Sequence, residues 1–264
     1  MNNKFGIAVI GLVIGAVIGY AVGSSRVGNL PATSDINSRT TADESAMKKE
    51  AKPIEVKFAN HIQLKLPEQD VFIEPAGASG HVMRIEGDMA GKSEILAATA
   101  YAAARATAHD PFKLGENPLG PFPQGKSLGF TLDEWLAGTG SGTYIVTGET
   151  AKLDLTFANL VPNGVYTVWC SRLTFPPNVK IVDEPCGSAD GSENSLTADA
   201  DGNATFQLTL QPLEESTKET ASVIALAYHS DGKTHGSNPG DFGFTTHVQL
   251  AFLLPAPDAA LMKQ

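Results

Sequence analysis

The sequence lacks several patterns that thiolate metal sites, serine nucleophiles and paired-histidine metal sites usually require. It contains two cysteines, Cys170 and Cys186, and they form no CxxC pair. Zinc sites built on thiolates usually show paired spacings, and a blue-copper site needs histidine and methionine near its cysteine, so we expect neither. A Gly-x-Ser-x-Gly elbow and a His-x-His pair are also missing. Their absence disfavours an α/β-hydrolase nucleophile and a metal site built on such a pair.

Positive charge is scarce as well. The chain has 19 lysine and arginine residues against 29 aspartate and glutamate residues, which gives a net charge of −10 and a pI near 5.0. A nucleic-acid partner would require a basic face that neutralises phosphates, so we expect none. At 264 residues the chain is long enough for one well-buried domain plus appendages.

The amino terminus carries the longest uncharged segment. Phe5–Val22 follows Lys4 and contains no charged residue. Its length favours a transmembrane anchor over residues 1–23, and a signal peptide cleaved before Ser24 is the alternative. On a helix, glycine at every fourth position forms a stripe that favours self-association in a membrane: Gly11, Gly15, Gly19 and Gly23. We expect an exported body, periplasmic or extracellular, that this segment holds to a membrane.

The rest of the chain divides by composition. Residues 24–53 are polar and cannot bury enough apolar surface to offset the entropy of ordering, so they predict a disordered tether. The folded body is expected over 54–255, with an N-terminal extension at 54–138, a sandwich core at 139–255 and a tail at 256–264.

The extension is expected to combine strands with a helix. Strands are predicted at Glu55–Leu66, Val71–Glu74 and His81–Glu86. The alanine-rich Ser93–Ala108 predicts the main helix of the body, with Ser93 as its cap. Proline and glycine in Asp110–Gly129 predict a long connection without elements of its own.

A short second helix and a series of strands follow. Thr131 and Glu134 fit a capping box that begins a helix ending at Gly138. Apolar, β-prone runs separated by turn residues then predict strands near Thr143–Thr147, Ala151–Phe157, Val165–Leu173, Ala204–Leu210, Ala221–Tyr228 and Thr246–Leu254. Short strands at this spacing indicate a mainly β fold, an antiparallel immunoglobulin-like β-sandwich with one or two short packed helices.

The expected state of the two cysteines depends on the compartment in which the protein is located. If the chain is exported, a disulfide between Cys170 and Cys186 is the favoured state. In a cytosolic protein they would instead be two buried free thiols.

Several runs of this half of the chain resemble a known family. They are FTLDEWLAGTGSGTYIV, LTFANLVPNGVYTVWCSRLTFPP, PCGSADGSENSLTADADGNATFQLTL, YHSDGKTHG and HVQLAFLLP. Together they resemble an uncharacterised family of exported β-sandwich proteins, secreted or membrane-anchored, of bacteria and archaea. The resemblance covers Phe130–Pro255. It implies an exported sandwich with a cysteine pair, and it implies no activity and no catalytic residue.

Three histidines mark the candidate metal site. His229, His235 and His247 lie at the mouth of a predicted hairpin, between the strands Ala221–Tyr228 and Thr246–Leu254. Imidazoles carried by loops can converge on copper or zinc, with Asp231, Asp241 or His81 as further ligands. The alternative is that these histidines only organise the loop through hydrogen bonds.

Two other kinds of site are weaker candidates. Asp190–Asn194 and Asp199–Asn203 have oxygen ligands for calcium, but an Asp-Gly turn explains the second stretch without an ion. A hydrolytic site would use Ser230 or Ser237 with the neighbouring histidines and aspartates, although proximity in sequence is not the geometry of a triad. We therefore expect a non-enzymatic binding or structural module of the cell envelope, and a copper- or zinc-binding protein as the alternative.

Overall fold

The computed structural model of the protein describes residues 52–64, 70–85, 92–108, 119–175 and 180–255. By its internal contacts the chain divides into Met1–Lys48 and Lys49–Gln264, and every described residue belongs to the second unit. The predicted anchor with its glycine stripe, the tail and nearly all of the tether lie outside the described residues. Within the described residues, no helix is long and apolar enough to cross a membrane.

The described residues form a mainly β fold, as predicted, with two short helices. The strands are β1 (Ile54–Lys57), β2 (Phe72–Ile73), β3 (His81–Val82), β4 (Thr99–Ala103), β5 (Phe122–Thr131), β6 (Thr139–Thr147), β7 (Thr150–Ala158), β8 (Val165–Thr174), β9 (Lys180–Val182), β10 (Ser195–Thr197), β11 (Ala204–Leu210), β12 (Thr220–His229) and β13 (Thr246–Leu253). The helices are α1 (Ser93–Leu96) and α2 (Leu132–Leu136).

Two antiparallel sheets share the main apolar core, which is consistent with the predicted β-sandwich. The first has the order β1-β6-β7-β11, and the second has the order β10-β8-β12-β13 with β9 paired to β8. Leu153 and Leu155 of β7 meet Ile224 and Leu226 of β12 in this core, and all four are fully buried. Each such side chain stabilises the fold by about 1.5 to 3 kcal/mol through its removal from water.

The strand β12 is buried on both of its faces. Since successive side chains of a strand point to opposite sides, Ile224 and Leu226 face the main core whereas Ala227 faces outward. Outward-facing Ala227 packs in a smaller cluster with Trp169 of β8 and Val248 of β13. His229, two residues further along β12, lies on this same outer face.

A third sheet and α2 form a second apolar cluster. The sheet has the order β2-β4-β5-β3. Ile73 and Ala100 from it pack with Leu132 and Trp135 of α2, and Tyr228 of β12 contacts both this cluster and the main core. The extension is thereby packed against the strand that leads to the histidines.

The helix predicted over Ser93–Ala108 is wrong. Only α1 is helical, its N-cap is Lys92 rather than Ser93, and the chain continues into β4, which pairs with β2 and β5. Helix propensity differs by less than about 1 kcal/mol between most residues, so strand pairing overrides the preference of alanine. The small side chains of Ala100 and Ala103 suit a buried strand instead.

The connection predicted over Asp110–Gly129 is also wrong in its second part, because β5 begins at Phe122. Proline and glycine do not prevent this strand from pairing. A β-carbon at Gly125 would lie 2.4 Å from the carbonyl oxygen of Ala103, so glycine allows β5 to approach β4 closely.

Two local predictions are confirmed. Thr131 and Glu134 form the capping box of α2: the Thr131 hydroxyl accepts from the Glu134 backbone N–H, and the Glu134 carboxylate accepts from that of Thr131. Cys170 and Cys186 form a disulfide across a sequence separation of 16 residues. By loop-closure entropy such a link stabilises the fold by roughly 3 kcal/mol.

Candidate functional site

The predicted hairpin that carries the histidines is confirmed. β12 and β13 pair antiparallel, with His229 opposite Thr246 and Tyr228 opposite His247. Between them the chain turns through glycines with positive φ, Gly232 at 73° and Gly240 at 88°, where other residues would be strained. The three histidines therefore do lie at one end of the second sheet.

His229 lies between the two neighbouring strands. Its Nε2 is 2.7 Å from Oγ1 of Thr167 on β8, and its Nδ1 is 3.4 Å from Oγ1 of Thr246 on β13. Thr167 also accepts a hydrogen bond from the indole Nε1 of Trp169 at 2.7 Å. The imidazole is thus fixed in orientation, and only 1% of the residue is exposed.

Asp231 and His235 form, with His229, a group of three side chains of the types that can ligate a metal ion. One ligand atom from each residue lies within 4.8 Å of the other two. The rings of His229 and His235 are 5.3 Å apart between centroids. Oδ1 of Asp231 accepts from the backbone N–H of Lys233, while Oδ2 lies 3.3 Å from Nε2 of His235. One carboxylate oxygen holds the turn and the other faces the histidine.

Nε2 of His235 is a shielded polar atom without a hydrogen bond in the described part of the chain. Its distance to Asp231 is short enough for an ion pair, but the two groups are not aligned for a hydrogen bond. A buried polar nitrogen in this condition is unfavourable unless another group satisfies it. A metal ion between His235 and Asp231 would do so.

His247 does not belong to this group. Its Nδ1 donates to the backbone carbonyl of Asp70 at 2.6 Å, and its Nε2 lies 3.0 Å from Oγ of Ser230. With both ring nitrogens hydrogen-bonded, His247 has no lone pair left for a metal. The group also does not include Asp241 or His81, the other ligands considered from the sequence.

The electrostatics favour neutral imidazoles. Burial, with a smaller contribution from His235, lowers the pKa of His229 to about 4, while Asp231 opposes the shift. Burial likewise lowers the pKa of His247 to about 4, against the opposing effect of Asp70. Neutral imidazole is the form that binds metal, so His229 needs no deprotonation at neutral pH.

Ser230 and His247 form the hydrogen bond expected of a nucleophile and its base, but the base is poorly matched. A general base works best when its pKa is near the operating pH. The pKa of His247 lies near 4, which makes it a weak acceptor for the serine proton. The contact is better explained as a structural link between the loop and β13.

The two acidic stretches considered for calcium form turns. Oδ1 of Asp199 accepts from the backbone N–H groups of Asp201 and Asn203, and Oδ1 of Asp190 accepts from that of Ser192. These hydrogen bonds lower the pKa of both aspartates and account for their positions.

The turn at Asp190 also supports the histidine loop. A β-carbon at Gly191 would lie 2.1 Å from the carbonyl oxygen of Gly236, the residue after His235. This turn begins four residues after Cys186. It therefore lies between the disulfide and the histidine loop that it contacts. The contact requires glycine at 191.

Thr167, Trp169 and Asp70 were not predicted to contribute here. Thr167 and Asp70 are separated from their histidines by 62 and 177 residues. The register of β8 against β12, which pairs Thr167 with Ala227, would have placed Thr167 beside His229. Periodicity predicts that these strands exist but not how they pair.

Comparison with known proteins adds no assignment. No protein-family model, curated protein or solved structure matches this chain.

Proposed function

We propose that this protein binds a transition-metal ion, zinc or copper, through His229, Asp231 and His235. The observation that carries the proposal is the convergence of three ligand atoms within 4.8 Å. Two donors bound to one zinc ion lie roughly 3 to 4 Å apart, given metal–ligand distances of about 2 Å. His235 and Asp231, with 3.3 Å between Nε2 and Oδ2, already have that spacing.

The donor set favours this class of metal. Two imidazole nitrogens and one carboxylate oxygen suit zinc and copper, whereas calcium and magnesium prefer oxygen ligands alone. Three protein ligands leave a coordination position for water or another small ligand. We propose a binding role rather than a catalytic one.

We further propose that the body is an exported, immunoglobulin-like domain anchored by residues 1–23, with the glycine stripe as a surface for self-association. The Cys170–Cys186 disulfide supports an oxidising compartment. The hydroxyl of Tyr166 accepts from the backbone N–H of Val161 at 2.8 Å, a contact of the kind that closes the tyrosine corner of immunoglobulin-like domains. The resemblance to exported β-sandwich proteins supports the same assignment.

The test is a metal titration of the full-length chain, purified in detergent with its disulfide intact. The protein is freed of metal and titrated with zinc and with Cu(II), and bound metal is quantified per chain. We expect one ion per chain, and we expect His235→Ala to weaken binding at least about 100-fold through the loss of a ligand. His81→Ala, which removes an exposed histidine of β3, is the matched control and should leave binding unchanged.

Equal binding by the parent and His235→Ala would overturn the metal site. Failure of the parent to bind either ion would do the same, and would favour a display or structural module of the envelope.

A further inference from the structure

We infer that Thr167 is a positioning residue for this metal site: its hydroxyl holds Nε2 of His229 so that Nδ1 is the nitrogen offered to the ion. The inference rests on the proposed metal-binding function and adds to it the ligand atom and the residue that selects it. It is carried by a chain of buried hydrogen bonds that ends on His229.

The chain begins at Trp169. The indole N–H can only donate, and it donates to Oγ1 of Thr167 at 2.7 Å. The same oxygen lies 2.7 Å from Nε2 of His229. Trp169, Thr167 and His229 are 3%, 1% and 1% exposed, so water cannot easily replace either contact. The two strands hold this arrangement, since Thr167 pairs with Ala227 on the outer face that His229 shares.

The chemistry of a hydroxyl allows Thr167 to hold His229 in the tautomer that binds metal through Nδ1; with no metal bound, the same hydroxyl can instead donate to Nε2. A hydroxyl oxygen accepts two hydrogen bonds, so Thr167 can accept from Trp169 and from His229 together. When Nε2–H of His229 donates to Thr167, the lone pair of the neutral ring is on Nδ1. Ligating histidines generally donate their other N–H to a fixed acceptor in this way.

The position of Nδ1 is compatible with this assignment. It faces Oγ1 of Thr246 at 3.4 Å, and because the Thr246 hydroxyl donates to the carbonyl of Pro239 at 2.7 Å, Thr246 does not donate to Nδ1 and can only accept from it. A β-carbon at Gly240 would lie 2.4 Å from that hydroxyl oxygen and 3.3 Å from Nε2 of His235. The Thr246 hydroxyl that Nδ1 faces and the unsatisfied nitrogen of His235 thus both lie beside Gly240.

The test compares Thr167→Val with Thr167→Ser in the full-length chain. Valine keeps the shape of threonine and removes the hydroxyl, whereas serine keeps the hydroxyl. We expect Thr167→Val to weaken zinc affinity about 10- to 100-fold, as loss of the partner of a ligating histidine usually does, and Thr167→Ser to restore it to within a few-fold of the parent.

A second readout does not depend on the stability of a variant. Long-range proton–nitrogen NMR of the zinc-loaded parent reports which ring nitrogen of His229 is protonated and which is bound. We expect a protonated Nε2 and a metal-bound Nδ1. A metal-bound Nε2, or equal zinc affinity in Thr167→Val and the parent, would overturn the inference while leaving the metal site standing. A parent that binds neither zinc nor Cu(II) would overturn the proposed function itself.

Discussion

The two sides of the β12–β13 hairpin carry two histidines that are alike in burial and in pKa but differ in their partners. His229 is 1% exposed and His247 is 0% exposed, and burial lowers the pKa of each to about 4. On one side, the two ring nitrogens of His247 are hydrogen-bonded to the backbone carbonyl of Asp70 and to the hydroxyl of Ser230. On the other, His229 lies beside Asp231 and His235.

Burial and a lowered pKa therefore do not by themselves distinguish the proposed metal ligand from a structural histidine. Both histidines would be selected by those criteria. Among the residues that the structure describes, what separates them is an adjacent ligand atom without a hydrogen bond, Nε2 of His235, beside His229. His247 instead joins β13 to the segment before β2, where the Asp70 carboxylate also accepts from the Val248 backbone N–H at 3.1 Å.

The largest expected difference between the two histidines is in the stability lost when each is replaced by alanine. We expect His247→Ala to lower the free energy of unfolding by about 4 kcal/mol, because it removes two buried hydrogen bonds and leaves a cavity. His229→Ala should cost less, about 2 kcal/mol, since its Nδ1 contact is long. Urea unfolding of the metal-free proteins measures both. A larger cost for His229→Ala would show that the structural and ligating sides have been assigned the wrong way round.

Acid should destabilise the protein through both buried histidines, and the contribution of His247 can be measured separately. The pKa of His247 is about 4 in the folded protein, below the usual value of 6.5, so the unfolded state binds its proton more readily between these values. The corresponding stability is fully present above pH 6.5 and is lost as the pH falls towards 4, by at most about 3 kcal/mol.

His247→Gln removes this titration. Urea unfolding of the metal-free protein at several pH values should therefore show a shallower acid loss in His247→Gln than in the parent. Identical slopes in the two proteins would mean that His247 is not the buried neutral histidine described above.

Zinc should stabilise the folded protein through the side of the hairpin that carries His229, Asp231 and His235. A ligand that binds only the folded state raises its stability by about 2.7 kcal/mol when the free ligand is a hundredfold above Kd. Thermal or urea unfolding should show this gain in the parent and in His247→Gln, and a gain of at most about 0.4 kcal/mol in His235→Ala, whose site binds at least about 100-fold more weakly. A loss of the gain in His247→Gln equal to that in His235→Ala would place His247 among the ligands and erase the distinction.

The features that could be predicted from the sequence are those that depend on residues close together along the chain. Alternation and turn residues predicted the hairpin, the strands of the sandwich and the capping box at Thr131, because these depend on neighbours a few residues apart. The strand β4 was missed because the helix preference of its alanines is local, whereas its pairing with β2 and β5 is not.

The candidate site divides in the same way. His229, Asp231 and His235 lie within seven residues, so their proximity could be anticipated from the turn signals. The separation of His247 from them could not, because it depends on Asp70, 177 residues away. The role of Thr167 required the register of β8 against β12, which periodicity does not determine.

The smallest expected effect concerns the contact that supports only the metal side of the hairpin. Gly191→Ala introduces a β-carbon 2.1 Å from the carbonyl oxygen of Gly236, at a φ of +76°. The residue adjacent to His235 must then shift, so we expect about a tenfold loss of zinc affinity and a loss of about 1 to 2 kcal/mol in the free energy of unfolding.

Gly148→Ala is the matched control, because it has a similar φ of +61° in the β6–β7 turn and its β-carbon would meet nothing within 4 Å. It should lose stability through backbone strain alone and bind zinc as the parent does. If Gly191→Ala also bound zinc like the parent, the turn after Cys186 would not position His235. If both variants lost affinity equally, general destabilisation would explain the effect. Weakening in Gly191→Ala alone would show that the disulfide-bonded turn reaches the metal side of the hairpin through this single backbone contact.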